Sequence, residues 1–210
     1  MVVGFINMAN VNNVMYFDEM NILKADKDMR VRMCDKLEKE LIDIFEWVSN
    51  FGIHFFYWEI LDKKMHDRYV KIILEEYKEI EDKEELIELL AYEFFENTTQ
   101  LIEEADGDKE KLKKALSKER ARICARNETN KAVETLNYDD AVSKGFRKKK
   151  WKTMIDGKER PSHRNANGQI VDINEPFKIG GSKMLHPFDT TFDAPLSEIL
   201  NCRCTVEYLK

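Results

Sequence analysis

Apolar residues in the first two thirds of the chain recur at the spacing of an α-helix. Residues 28–50 carry one apolar stripe, formed by Met33, Leu37, Leu41, Ile44, Phe45 and Val48. The same period predicts helices over residues 53–80, 83–104 and 108–144, the last with Asp108 as its N-cap. Because the connections between these helices are short, we expect them to pack as an antiparallel bundle.

The pattern changes after Trp151. All 4 prolines lie after residue 160 and five of the 8 glycines lie after residue 144, and both residue types interrupt regular structure. Residues 168–173, GQIVDI, follow the turn NANG and predict a short strand. A period of two in residues 202–209, CRCTVEYL, predicts another strand. The predicted fold class is α+β, with an N-terminal antiparallel helical bundle and a small C-terminal mixed unit of short strands and loops.

The composition predicts a water-soluble chain with a hydrophobic core. Hydrophobic residues make up 43% of the sequence and charged residues 35%. No uncharged apolar run approaches the roughly 18 residues that a membrane helix requires, and the first residues lack the features of a signal peptide. The 4 cysteines are too few and too scattered for a disulfide framework. We therefore expect that the protein has no contact with a membrane. We also expect it to reside in a reducing compartment.

Charge is distributed unevenly along the chain. Residues 33–116 hold 12 lysines and arginines against 23 aspartates and glutamates, whereas residues 120–152 hold 10 against 4. The basic residues predicted to line a helix and its exit are Arg120, Arg122, Arg126, Lys131, Lys144, Arg147, Lys148, Lys149 and Lys150. Such a stripe could bind DNA phosphates without sequence preference, or it could dock on an acidic protein surface. The acidic region is interpreted as the solvated sides of helices.

Two cysteines near the C-terminus form a candidate metal site. On a strand, Cys202 and Cys204 would point to the same side and could hold one soft ion such as zinc. Zinc would need two more ligands, and His163, His186 and Asp156 are the candidates nearby in sequence. The second Cys/His pair that is usual in zinc modules is missing. The other interpretation is that both thiols pack as small hydrophobic groups in a core without a cofactor.

Asp156, Arg160 and His163 lie within eight residues of one another in a loop-like stretch. A carboxylate, a guanidinium and an imidazole could form a general acid/base site. They could equally form a structural knot, with Asp156 paired to Arg160 and His163 donating to a backbone carbonyl. The sequence has no glycine-rich phosphate loop and no serine or cysteine nucleophile motif. We therefore expect no catalytic residues and give the knot more weight. Trp151 is interpreted as a core anchor.

An ordered set of motifs connects this region to a known family. RARICARNETNKA is followed by GFRKKKWKTMIDGKERPSHRNANGQIVDINEPF, then by MLHPFD and by a terminal NCRC. This order resembles the head-morphogenesis domain of tailed bacteriophages, the MuF-like minor head proteins. The positions that match the family pattern are Arg126, Glu128, Trp151, Asp156, Arg160, His163, Gly168, Gln169, Phe177, Leu185, Pro187, Asn201, Cys202, Arg203 and Cys204.

The resemblance implies a helical region over residues 1–117 and a head-morphogenesis domain over residues 118–210. It implies a minor capsid protein without enzymatic activity, which associates with the portal or the capsid and can contact packaged DNA. Such a protein would be found in the host cytoplasm during assembly and afterwards in the virion. The resemblance also implies a link to phage-borne toxins, in which the same domain occurs. The alternatives are a metal-dependent hydrolase or nuclease using Asp156, His163, Cys202 and Cys204, and a DNA-packaging accessory that binds through the basic stripe.

Overall fold

The computed structural model describes residues 12–20, 22–51, 55–77, 82–105 and 107–210. Helices dominate the first part and short strands appear near the end, so the α+β prediction is confirmed. The helices are α1 (Asn13–Asp18), α2 (Lys24–Phe51), α3 (Phe55–Glu76), α4 (Glu84–Glu103), α5 (Lys109–Ala115), α6 (Lys118–Ser143), α7 (Pro161–Ala166) and α8 (Leu196–Ile199). The strands are β1 (Lys148–Lys152), β2 (Ile170–Asp172), β3 (Phe177–Ile179), β4 (Ser182–Met184) and β5 (Thr205–Leu209).

The chain forms two compact units whose boundaries fall inside α1, α2 and α6. Among the described residues, the first unit holds the segment up to Asn13 and Val31–Thr129, and the second holds Val14–Arg30 and Asn130–Lys210. The second unit therefore includes Val14–Arg30, a segment that carries none of the C-terminal motifs. The expected division into a helical region over residues 1–117 and a head-morphogenesis domain over residues 118–210 stays a prediction.

The apolar stripe predicted for the first long helix is buried. α2 is longer than predicted at both ends, and its buried stripe in the first unit consists of Met33, Leu37, Leu41, Ile44, Phe45 and Val48. In the same unit, the rings of Tyr69 in α3 and Phe94 in α4 stack with their centres 5.0 Å apart. The helix predicted over residues 53–80 corresponds to α3, and its predicted ends at 53–54 and 78–80 lie outside the described residues.

The single helix predicted over residues 108–144 is wrong, because the structure has two helices there. Asp108 does cap the first one, α5, and its carboxylate accepts hydrogen bonds from the backbone N–H groups of Glu110 and Lys111 at 3.1 and 3.0 Å. A new helix then begins after Ser117, whose hydroxyl oxygen accepts from the backbone N–H of Arg120 at 3.2 Å. Serine is a strong N-cap residue. The apolar period continues through this point, which explains why the periodicity hid the break.

The basic run from Arg147 to Lys150 does not line a helix exit as predicted, because most of it forms β1. This strand is the centre of a three-stranded antiparallel sheet with the order β2-β1-β5. Gly145, at φ 72°, follows α6 in the left-handed conformation that glycine adopts readily, and the chain then enters the sheet. Alternation along β1 places Lys149 and Trp151 on the buried face of the sheet and the neighbouring lysines on the other face.

The core of the second unit is built around Trp151. This side chain is fully buried, and its ring meets the Phe177 ring edge-on at a distance of 5.3 Å between centres. The other buried residues of this cluster are Ala166, Ile179, Met184, Phe188, Ile199, Cys202 and Cys204. The prediction that Trp151 anchors the core is therefore confirmed. Among the described residues, no helix combines the length and the apolar character needed to cross a membrane.

Candidate functional site

His163 lies on the inner side of α7 and is 2% exposed. Pro161 at the first helical position and Arg160 before it start this short helix. The Nε2 atom of His163 is 3.0 Å from Oε2 of Glu198, in α8. Its Nδ1 atom is 3.3 Å from Sγ of Cys204 and 3.5 Å from Sγ of Cys202. The imidazole therefore connects a carboxylate on one side to two sulfur atoms on the other.

The two cysteines lie in the loop between α8 and β5. The period-two pattern predicted that they lie on the strand itself, and that prediction is wrong. Asn201 begins this loop with φ 56°, a left-handed conformation that asparagine tolerates better than most residues. The backbone N–H of Cys204 then donates to Sγ of Cys202 at 3.4 Å. This turn, and not strand alternation, brings both sulfur atoms to the same side. Both side chains are buried.

The hydrogen bond between the two thiols and the nearby His163 separate the pKa values of Cys202 and Cys204. For Cys202, burial raises the pKa well above its usual range, and the neighbouring Cys204 adds to this effect. For Cys204, the hydrogen bond with Cys202 and the nearby His163 lower the pKa well below its usual range, although burial opposes them. Cys204 is therefore the sulfur that carries negative charge more readily.

Thr153 forms a hydrogen bond with the backbone of His163 and was not identified from the sequence. Its hydroxyl accepts a hydrogen bond from Nε1 of Trp151 at 3.0 Å and donates to the backbone carbonyl of His163 at 2.8 Å. The Thr153 hydroxyl is also 3.5 Å from Sγ of Cys204. Neither Thr153 nor Glu198 has a spacing that signals its role, because both meet His163 only through the fold.

The predicted pair of Asp156 and Arg160 is wrong. Asp156 instead accepts two hydrogen bonds from Arg203, at 2.7 and 2.9 Å, in a bidentate arrangement. These bonds lower the pKa of Asp156, and its partial burial opposes the shift only in part. Arg160 donates to the backbone carbonyl of Leu200 and holds the chain just before the two cysteines. The expected bond from His163 to a backbone carbonyl is replaced by its contact with Glu198.

Among the described residues, one group of three side chains has the chemistry and spacing for a metal ion. It consists of His163, Cys202 and Cys204, whose ligand atoms all lie within 4.8 Å of one another. Asp156 is not part of this group. His186 is also elsewhere in the second unit, where its Nδ1 is 2.9 Å from the Pro187 carbonyl oxygen. Of the three further ligands that the sequence suggested, the structure brings only His163 to the cysteines.

Gly168 and Gln169 connect the two sheets. Gly168 has φ 83°, and its backbone N–H donates to the carbonyl of Trp151 at 2.9 Å. The Gln169 side-chain amide accepts from the backbone N–H of Lys178 at 2.7 Å and donates to the carbonyl of Lys178 at 3.2 Å. The amide thus forms with β3 the two hydrogen bonds that a neighbouring strand would form. These motif residues hold the backbone in place.

Comparison with known proteins matches this chain to a family. The model of the family described as "Phage Mu protein F like protein" matches residues 76–207, which is more than half of the chain. The chain belongs to this phage Mu protein F-like family. It is therefore a member of a family of phage head-morphogenesis proteins, and the resemblance noted from its motifs is confirmed.

A curated relative of this Mu F-like chain is the protein named NAD(+)--arginine ADP-ribosyltransferase EFV, from Enterococcus faecalis (strain ATCC 700802 / V583). The two are 35% identical over 78 residues, which is 37% of this chain and 15% of the relative. The Mu F-like chain thus spans about one seventh of that relative's length. No solved structure matches the chain.

The segment before α2 supports the Mu F-like motifs, although the family match does not include it. The hydroxyl of Tyr16 donates to the backbone carbonyl of Cys202 at 3.1 Å and accepts from Asn130 at 3.2 Å. Asn130 in turn accepts from the buried Arg30 at 2.6 Å, and Arg30 donates to Glu134 at 2.8 Å. A buried chain of hydrogen bonds therefore ends directly behind the cysteine loop.

Two residues of the predicted basic stripe are buried and are removed from the candidate DNA contacts of this Mu F-like protein. Arg126 is fully buried in the first unit, where its Nε donates to Asn13 at 2.8 Å. Lys149 is fully buried in the second unit, between the rings of Tyr138 and Phe177. A periodic or dense basic run shows charge but not burial, so the sequence could not separate these residues from their exposed neighbours.

The other predicted basic residues are more accessible. Arg147 and Lys148 are exposed, and Lys150 and Arg120 are half-buried. Arg122 is half-buried and pairs with Glu38 at 3.0 Å within the first unit.

The motif residue Glu128 of the Mu F-like family is also half-buried in this unit. Burial raises the pKa of Tyr69 and of Cys124, and Glu128 adds to both shifts.

Proposed function

We propose that this protein is a non-enzymatic minor head protein that joins the portal or the procapsid during phage head assembly. It would act in the host cytoplasm during assembly and remain in the virion. The observation that carries the proposal is that side chains of the family motifs form hydrogen bonds with one another and with the backbone of the same region. A motif set of this kind preserves a folded shape, and preserved shape is what an assembly protein presents to its partners.

The contacts of Asp156 and His163 support this role over the hydrolase alternative. A catalytic metal keeps an open coordination position for water or substrate. Here His163, Cys202 and Cys204 are buried, and the Asp156 carboxylate is held by Arg203. Hydrolysis would need these groups to meet at an open site, and their present partners favour a structural use.

The experiment is co-sedimentation with procapsids and with isolated portal protein from the phage or prophage that encodes this chain. We expect the folded protein to sediment with at least one of the two, in a fixed ratio that saturates. An unrelated protein of similar mass and net charge serves as the control. A cooperatively folded chain that sediments with neither particle would contradict the proposal. Stoichiometric metal together with turnover of nucleic acid would favour the hydrolase.

Binding to packaged DNA is a second candidate role, favoured by the lysines of β1. Lys148, Lys150 and Lys152 alternate with the buried residues and therefore share the outer face of the sheet. Glu207 lies 3.7 Å from Lys150 and 3.6 Å from Lys152 and neutralises part of this charge. A small lysine face of this kind favours weak contacts to phosphates without reading the base sequence.

A pair of charge-reversed variants tests this second role. Replacing Lys148 and Lys150 with Glu is expected to abolish retention of duplex DNA at low salt. The matched control replaces Lys178 and Lys183, an exposed cross-strand pair of the β3–β4 hairpin, with Glu and gives the same change in net charge. Binding of the native chain should fall steeply as salt rises to physiological levels. Equal loss in both variants, or binding that ignores salt, would count against this face as the contact.

A further inference from the structure

Nδ1 of His163 and the sulfur atoms of Cys202 and Cys204 have the spacing of a metal site. In a tetrahedral zinc site, bonds of about 2.0–2.1 Å to nitrogen and about 2.3 Å to sulfur place neighbouring nitrogen and sulfur ligands about 3.6 Å apart. The Nδ1 atom of His163 lies 3.3 Å from Sγ of Cys204 and 3.5 Å from Sγ of Cys202. A small ion between them could bond all three atoms with little movement of the side chains.

The groups around these atoms are those that orient metal ligands. A ligating histidine usually donates its other ring N–H to a carboxylate or a carbonyl, which leaves the ligand nitrogen free of a proton. Here Nε2 of His163 faces Glu198 at 3.0 Å. The backbone N–H of Cys204 donates to Sγ of Cys202 at 3.4 Å. These contacts direct Nδ1 of His163 and the two sulfur atoms towards a common point.

Without an ion, the sulfur atoms of this cluster are held by weak hydrogen bonds to His163 and Thr153. If Nε2 carries the ring proton, Nδ1 of His163 is an acceptor with a single lone pair, yet two sulfur atoms lie within hydrogen-bond distance of it. Thiols are weak donors, so they compensate little for their burial. One divalent cation would balance two thiolates and a neutral imidazole and would satisfy all three lone pairs.

We propose that His163, Cys202 and Cys204 bind one zinc ion that fastens α7 to the loop before β5. Two thiolates with an imidazole select soft or borderline ions such as zinc over magnesium or calcium. The hydroxyl of Thr153, 3.5 Å from Sγ of Cys204, is near enough to the cluster to complete the coordination through its oxygen. Burial of the site makes the ion structural, so it goes beyond the proposed role in head assembly and adds no reaction to it.

The first experiment measures zinc in protein purified without an affinity tag and without chelator. We expect about one zinc per chain by inductively coupled plasma mass spectrometry. The double variant Cys202→Ser, Cys204→Ser should contain none, whereas Cys124→Ser, with a half-buried thiol in α6, should keep the full amount. Zinc that persists in the double variant would overturn the proposal. The measurement uses isolated protein, so its outcome is independent of portal or procapsid binding.

A second measurement decides the matter if the double variant does not fold. The native chain, reduced and stripped of metal, is titrated with cobalt(II) as a spectroscopic substitute for zinc. We expect saturation at one equivalent, with a thiolate-to-cobalt charge-transfer band and the visible bands of tetrahedral cobalt. Glu198→Gln should still give this spectrum but bind about 10–100-fold more weakly. A chain with all 4 thiols reduced that takes up neither cobalt nor zinc would overturn the proposal.

Discussion

The buried ammonium group of Lys149 allows a quantitative test of the fold. The side chain is 0% exposed, and among the described residues its Nζ has no hydrogen-bond partner. Nζ instead lies 4.7 Å from the centre of the Tyr138 ring and 5.2 Å from that of Phe177. Burial lowers the pKa of Lys149 from 10.5 to about 8, although the carboxylates of Asp189 and Glu175 act in the opposite direction.

The perturbation is Lys149→Met, which keeps most of the aliphatic side chain and removes the charge. The fall in pKa from 10.5 to about 8 means that folding disfavours the charged form by about 3 kcal/mol at pH 7. We therefore expect Lys149→Met to raise the free energy of unfolding by about 2–3 kcal/mol at pH 7.

The pH dependence has a definite sign. Because folding lowers the pKa, the unfolded chain binds more protons than the folded chain in the window between about pH 8 and 10.5, and native stability rises with pH there. The advantage of Lys149→Met should therefore shrink to less than about 0.5 kcal/mol near pH 10.5. Other titrating groups are common to both proteins and cancel in the difference.

The assay is urea denaturation followed by circular dichroism at pH 7 and at pH 10.5. Lys148→Met is the matched control, since the neighbouring side chain is exposed and its replacement should change stability by less than about 0.5 kcal/mol. A loss of more than about 1 kcal/mol for Lys149→Met at pH 7 would refute the reasoning. A difference between native and variant protein that is the same at both pH values would refute it as well.

Three further predictions concern the second unit. Asp156→Asn should lower the free energy of unfolding by about 1–3 kcal/mol in urea, because it removes the bidentate carboxylate of the buried Arg203 and leaves the bond to Glu19 at 2.9 Å. Since the pKa of Asp156 is lowered on folding, its contribution is present above its ordinary pKa of 3.8 and is lost as the pH falls below that value. Trp151→Ala should cost about 3–5 kcal/mol and abolish the near-ultraviolet circular dichroism of the core. A fragment of residues 118–210 lacks residues 14–30, and its thermal scan should show no cooperative unfolding.

Several features of this protein could be predicted from the sequence because they depend on neighbours along the chain. The stripe of α2, the cap at Asp108 and the turn before β2 each arise from spacing or from the local chemistry of one or two residues. The ordered motifs from Arg126 to Cys204 identified the family, because a set of residues in a defined order is specific even when each member is common.

Periodicity failed where a local signal or the strand geometry overrode it. Ser117 starts a new helix inside a continuous apolar pattern, and the run of lysines forms the central strand of a sheet. The strand signal of β1 was hidden because Lys149, a charged residue, occupies a buried position. A pattern of apolar and polar residues cannot indicate such a position, since burial of a charge depends on what the rest of the chain places around it.

The sequence by itself determined the helical front, the strand-and-loop tail, the family and the residue types of the candidate metal site. Only the tertiary structure decided the partners: Asp156 with Arg203 and not Arg160, and His163 between Glu198 and two sulfur atoms. Tyr16 likewise reaches the cysteine loop from 186 residues away. The physical reason is that hydrogen bonds and ion pairs act over about 3 Å in space. Which groups come that close depends on how distant segments pack, and spacing along the chain does not record it.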